Sequence, residues 1–72
     1  MRDGWVKVSQ RVAKHSDIDA TIELVPAEPG RHGRHFIARV NGDWVYQGRR
    51  GGMIRWFKTF DDAAIVVEQV PA

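Results

Sequence analysis

The sequence contains no cysteine, which excludes disulfide bonds and thiolate metal sites as sources of stability. A chain of 72 residues is too short for two domains, so we expect a single domain over residues 1–72. Such a small domain must be stabilised by apolar packing or by association with a second copy, and a homodimer is therefore one expected state. The lack of cysteine also fits a reducing compartment, and we expect a cytoplasmic protein.

Long apolar runs are also missing. No stretch reaches the roughly 18 apolar residues that a membrane-spanning helix needs. The first residues are mixed and polar, without the apolar run of a signal peptide. We therefore expect neither export nor membrane association.

The residue patterns that usually carry catalysis or bind metals are absent. His32 and His35 lie three apart, but no acidic residue or cysteine at a suitable spacing completes a metal site. Ser9 and Ser16 lie in no nucleophile motif, and Gly48–Gly52 lacks the Lys-Ser/Thr pair of a phosphate-binding loop. We expect no metal, no cofactor and no enzymatic activity.

Charge is distributed unevenly along the chain, although the net charge is only +2. Residues 31–58 contain seven basic residues and one acidic residue, Asp43, whereas the segments on either side carry a small acidic excess. An anionic partner is therefore expected to contact the middle of the chain.

A β-hairpin is the clearest local prediction. Two β-rich runs, His35–Val40 and Asp43–Gln47, are separated by Asn41-Gly42, and both residues tolerate the positive φ of a type I′ turn. In this register Arg39 faces Trp44, and side chains alternate between the two faces of the sheet. Phe36, Ala38, Val40 and Val45 share the face that we expect to form the core, while Ile37, Arg39, Trp44 and Tyr46 share the other.

A third strand and a helix are predicted after the hairpin. Met53–Lys58 has the composition of a strand and follows the basic turn 48–52. Thr59 is a suitable helix cap, and the two aspartates that follow Phe60 favour the first turn of a helix running to about Val70. The β-branched run Ile65–Val67 also suits a strand, so that alternative stays open.

The N-terminal part is predicted less completely. Thr21–Val25 has the pattern of a strand and ends at Pro26, and residues 29–33 form a loop. Residues 5–14 fit either a strand or a short helix. The expected fold class is α+β: a small antiparallel β-meander of three to five strands packed against one C-terminal helix.

Basic and aromatic side chains share the second face of the predicted hairpin. Arginine binds phosphate or reads guanine, and aromatic rings pack on sugars and bases, so the pattern is typical of nucleic-acid binding. In the alternative interpretation the terminal helix covers this face and the aromatic rings belong to the core. The candidate nucleic-acid-binding residues, on this face or next to it, are Arg39, Trp44, Tyr46, Arg49, Arg50, Arg55 and Lys58.

Three strand-like segments, 36–40, 44–47 and 54–58, lead into the helix start, with the run Phe57-Lys58-Thr59-Phe60-Asp61-Asp62-Ala63-Ala64. Together these features resemble the AP2-like and integrase arm-type DNA-binding domains. The resemblance covers residues 34–70 and implies a three-stranded sheet that enters the major groove. It implies base-reading or phosphate-contacting roles for Arg39, Trp44, Tyr46 and Arg55.

These residues are compatible with two alternative functions. The first is a small nucleic-acid-binding module, for DNA more than RNA, of the kind that serves a mobile element as an accessory or regulatory protein. The second is a small protein-binding inhibitor or adaptor that uses the same surface, because Arg, Trp and Tyr are also enriched at protein interfaces.

Overall fold

A computed structural model of the chain describes residues 3–27, 33–48 and 52–69. It contains a five-stranded antiparallel sheet, in which each strand pairs with the next along the chain, followed by one helix. The elements are β1 (Trp5–Lys7), β2 (Val12–His15), β3 (Ala20–Val25), β4 (His35–Val40), β5 (Asp43–Trp44) and α1 (Phe60–Gln69). The predicted fold class is confirmed. Within the described ranges, no helix is both long and apolar enough to cross a membrane.

The N-terminal residues form strands, which decides between the two alternatives for residues 5–14. β1 and β2 make a hairpin whose turn is closed by hydrogen bonds from the Val8 and Ser9 N–H groups to the Val12 carbonyl, at 2.9 and 3.2 Å. β3 follows and ends just before Pro26, as predicted. The predicted loop at 29–33 lies, apart from Gly33, outside the described residues.

The β4–β5 hairpin forms around the predicted Asn-Gly turn. Both turn residues have positive φ, 54° at Asn41 and 82° at Gly42, as a type I′ turn requires. Arg39 pairs with Trp44, and Val40 pairs with Asp43, as predicted. The predicted register is confirmed over these pairs.

The segment after the hairpin does not form the regular strand predicted over Met53–Lys58. It makes two isolated bridges, Tyr46 with Ile54 and Phe36 with Phe57. The first bridge lies against the end of the hairpin and the second against β4. Because the segment changes its pairing partner between the two bridges, it forms no continuous ladder of hydrogen bonds. β5 is also shorter than predicted, since it ends at Trp44.

The helix packs on the face of the sheet that carries Ala20, Ile22 and Ala38. Phe36, Val40 and Val45 pack against the margin of this core, as predicted. The alternative in which the helix covers the face of Arg39 and Trp44 is therefore wrong. The buried core consists of Trp5, Ala13, Ala20, Ile22, Ala38, Phe57, Ala63, Ala64 and Val67.

Helix α1 begins where the capping pattern predicts. The Asp62 N–H donates a hydrogen bond to Thr59 Oγ1 at 3.1 Å, which satisfies one of the free donors of the first turn. The competing strand over Ile65–Val67 is wrong, because the helical spacing of the apolar stripe prevails over the β-branched side chains. The last residues of the predicted stripe, Val70 and Pro71, lie outside the described part of the chain.

Candidate functional site

The face of the sheet opposite the helix carries three of the predicted binding residues, Arg39, Trp44 and Tyr46. Strand register places Thr21, Arg39 and Trp44 on this face, because their neighbours along each strand point into the core. No core residue of the described ranges comes from it. We call this surface the open face: Val6 of β1; Val12 and Lys14 of β2; Thr21, Glu23 and Val25 of β3; His35, Ile37 and Arg39 of β4; and Trp44, Tyr46, Ile54 and Trp56.

Arg39 and Trp44 form a cation-π pair at one end of the open face. The guanidinium carbon lies 4.2 Å from the centroid of the indole ring. A guanidinium that packs its flat side on a ring keeps its in-plane N–H donors available for a bidentate contact with phosphate or a base edge. The pair therefore holds a cation in a fixed position next to an aromatic ring.

A cross-strand row connects this pair to a second cation. Trp44 pairs with Arg39, Arg39 with Thr21, Thr21 with Lys14, and Lys14 with Val6, so the row runs across the whole sheet. Adjacent strands lie about 4.8 Å apart, which places Arg39 and Lys14 about 10 Å apart with a threonine between them. A row of this kind can follow a chain of anions.

A second aromatic pair lies at the other end of β4. The His35 and Trp56 rings stack with centroids 4.5 Å apart and an interplanar angle of 25°. His35 Nδ1 lies 3.1 Å from the Gly33 carbonyl oxygen, so this nitrogen is the one that donates. Trp56 keeps 40% of its surface exposed. The open face thus has an aromatic group at each end.

The sequence prediction missed both members of this second pair. From the sequence, His35 is considered only as a metal ligand, and Trp56 is assigned no binding role. The signal was the alternation along the last strand-like segment: because Phe57 points into the core, Trp56 must point to the open face.

The structure divides the predicted site. Tyr46 lies on the open face with Arg39 and Trp44, but Arg55 does not, because its guanidinium packs over Phe57, 5.0 Å from the ring centroid on the helix side. Lys58 lies at the boundary between the two sides, because it lines one pocket with Arg55 against the helix and another with His35 and Trp56. The remaining two predicted residues, Arg49 and Arg50, lie outside the described ranges.

Charge on the open face is mixed. Glu23 contributes a carboxylate beside the row that Arg39 and Lys14 occupy. Among the residues that the structure describes, no group of three or more His, Cys, Asp or Glu side chains is arranged to hold a metal ion. The open face therefore offers aromatic and apolar packing together with a guanidinium, an ammonium and a carboxylate group.

Comparison of the chain with protein-family models, with curated proteins and with solved structures gives no match. The function is therefore argued from the geometry of the site.

Proposed function

We propose that this protein binds nucleic acid through the open face and acts by binding rather than by catalysis. The observation that carries the proposal is the Arg39–Trp44 stack, which presents a fixed guanidinium beside an aromatic ring on a surface that the helix leaves uncovered. Arginine contacts phosphate or a base edge, and rings such as Trp44 and Tyr46 pack on sugars and bases. A cytoplasmic location accords with this function.

DNA is the expected nucleic acid. A sheet backed by a helix on its far side has the layout that the AP2-like resemblance implies, and such a sheet enters the major groove with its uncovered face. This chain departs from that layout in two ways, because its sheet is extended by β1–β3 and its last strand is reduced to two bridges. A role as an accessory or regulatory protein of a mobile element is part of the same proposal.

Fluorescence anisotropy with labelled duplex DNA, single-stranded DNA and RNA tests the proposal. With four phosphate contacts, we expect the affinity to fall about 100-fold between about 50 and about 200 mM salt, because each contact releases condensed counterions. If no oligonucleotide binds at the lower salt concentration, the proposal is wrong.

Two arginine substitutions separate the open face from a general effect of charge. Arg39→Ala removes one positive charge from the open face, and we expect it to weaken binding on the order of tenfold. Arg11→Ala removes the same charge from the turn between β1 and β2, and binding should change little. Equal losses in the two variants would show that net charge, and not this surface, determines binding.

Arg55→Ala tests the division of the predicted site. Because the Arg55 side chain packs on Phe57 on the helix side, we expect it to contribute less to binding than Arg39 does. A larger loss for Arg55→Ala than for Arg39→Ala would mean that the nucleic acid contacts the helix side of the last segment.

A protein partner is the second candidate, and the apolar content of the open face favours it. Ile37 and Ile54 lie half-buried among the aromatic side chains, and such a surface fits an apolar patch on another protein or on a second copy of this chain. An association that depends on Trp44 and persists at roughly 500 mM salt supports this candidate, since apolar contacts are not screened.

A further inference from the structure

A pocket of about 440 Å³ opens on the helix side of the sheet, opposite the open face. It lies between the start of α1 and the turn that joins β1 to β2. Its apolar floor and wall are formed by Ala13, Ile22, Leu24, Phe36 and Phe60. The volume falls within the range of about 300–1,000 Å³ that small-molecule sites occupy.

The pocket exists because one helix cannot cover five strands. The helix has a diameter of about 10 Å, whereas five strands span about 19 Å. Helix α1 packs mainly on β3 and β4. Ile22 is 1% exposed beneath it, but Leu24 and Phe36, at the end of the sheet near the helix start, are only half-buried. No element of the described ranges therefore covers the apolar surface at this end of the sheet.

Lys7 occupies an unusual position beside this apolar surface. It pairs with Ala13, whose side chain is buried in the core, so the register places the lysine on the helix side of the sheet. Lysine seldom shares a face with core residues, because burying its charge is costly. Here it lines the pocket and stays exposed.

Arg11 adds a second cation to the same rim. It lies in the β1–β2 turn, and its carbonyl oxygen accepts a hydrogen bond from the Leu24 N–H at 2.7 Å, which holds the turn against the end of β3. The opposite rim is formed by Thr59 and Asp61 at the start of α1. Positive charge is therefore concentrated on the sheet side of the pocket, and the Asp61 carboxylate lies on the helix side.

We propose that this pocket binds a small amphipathic carboxylate. The carboxylate lies between Lys7 and Arg11, and the apolar body covers Leu24, Phe36 and Phe60. A simple anion makes no use of the apolar floor, and a neutral apolar molecule makes no use of the two cations. A ligand with both parts uses the two cations and the apolar floor together, and its binding is independent of nucleic-acid binding on the open face.

Three probes that share parts of one structure test the proposal by NMR titration of the full chain. Octanoate has the carboxylate and the apolar body, octanol has the body alone, and acetate has the charge alone. We expect octanoate to shift the methyl signals of Ile22 and Leu24 in a saturable way, with an affinity at least about tenfold above those of octanol and acetate.

Two lysine substitutions on opposite faces of the sheet complete the test. Lys7→Gln should lower the octanoate affinity on the order of tenfold and leave octanol binding unchanged. Lys14→Gln, on the open face, should leave octanoate binding unchanged. Equal binding of octanoate and octanol, equal effects of the two substitutions, or no saturable shift at Ile22 and Leu24 would each overturn the proposal.

Discussion

His15 is held in place by backbone and ring contacts, although it lies at the end of a strand. Its Nδ1 atom accepts hydrogen bonds from the N–H groups of Asp17 and Ile18, at 3.0 and 3.2 Å. Its ring and the Trp5 ring pack in a T-shaped arrangement, with centroids 5.0 Å apart and an interplanar angle of 87°. The ring therefore cannot move away from Gly4, which packs against it, without losing these contacts.

Gly4→Ala should destabilise the protein more than Gly48→Ala. Both glycines have positive φ, 88° and 75°, so alanine costs about 1–2 kcal/mol at either position. At Gly4 a Cβ atom would also lie 2.6 Å from His15 Nε2, whereas at Gly48 it would meet nothing within 4 Å. We expect Gly4→Ala to cost about 1–3 kcal/mol more, measured by urea denaturation. Equal losses would contradict a fixed His15 ring.

At the scale of elements, α1 depends on its first turn. Only ten residues long, the helix spans about 15 Å, and an isolated helix of that length is marginal in water. Thr59 Oγ1 accepts a hydrogen bond from the Asp62 N–H. Asp61 and Asp62 place negative charge at the positive end of the helix dipole. The sheet then stabilises the helix by covering its apolar stripe.

Thr59→Ala should destabilise the protein by about 1 kcal/mol, because the Asp62 N–H loses its acceptor. Thr59→Ser is the matched control, since serine keeps the hydroxyl oxygen, and we expect it to retain most of the stability. Thermal unfolding followed by circular dichroism measures both variants. If serine is no better than alanine, the hydroxyl does not contribute the stability that we assign to it.

At the scale of the whole molecule, small side chains determine how closely the helix approaches the sheet. Ala63 and Ala64 are fully buried in the helix, and Ala20 and Ala38 are buried on the sheet side of the same core. Alanine on both sides lets the backbones lie close together. Trp5 then links β1 to the far end of the helix through a hydrogen bond from its Nε1 to Glu68 Oε2, at 3.1 Å.

Ala64→Leu should destabilise the molecule by about 1–3 kcal/mol, because the larger side chain has no space between helix and sheet. Ile65→Leu, at the neighbouring position that is 41% exposed, should change stability by less than about 0.5 kcal/mol. Urea denaturation of both variants checks this. A small effect at Ala64 would mean that the helix shifts easily on the sheet.

Local chemistry made several elements predictable from the sequence. The positive φ tolerated by Asn41 and Gly42 determines the turn of the hairpin, and alternation then determines which side chains face Arg39 and Trp44. The Thr59 cap and the apolar stripe of α1 are likewise short-range patterns. These features depend on residues a few positions apart, so they could be predicted without knowledge of the fold.

Long-range packing determined where the last segment pairs, and it excluded the alternative in which the helix covers the face of Arg39 and Trp44. Phe57 pairs with Phe36 across 21 positions of sequence, and this contact moves Arg55 to the helix side while Trp56 stacks on His35. The uncovered pocket likewise depends on the width of five strands against one helix. Short-range patterns carry no information about such contacts, because packing of distant segments determines them.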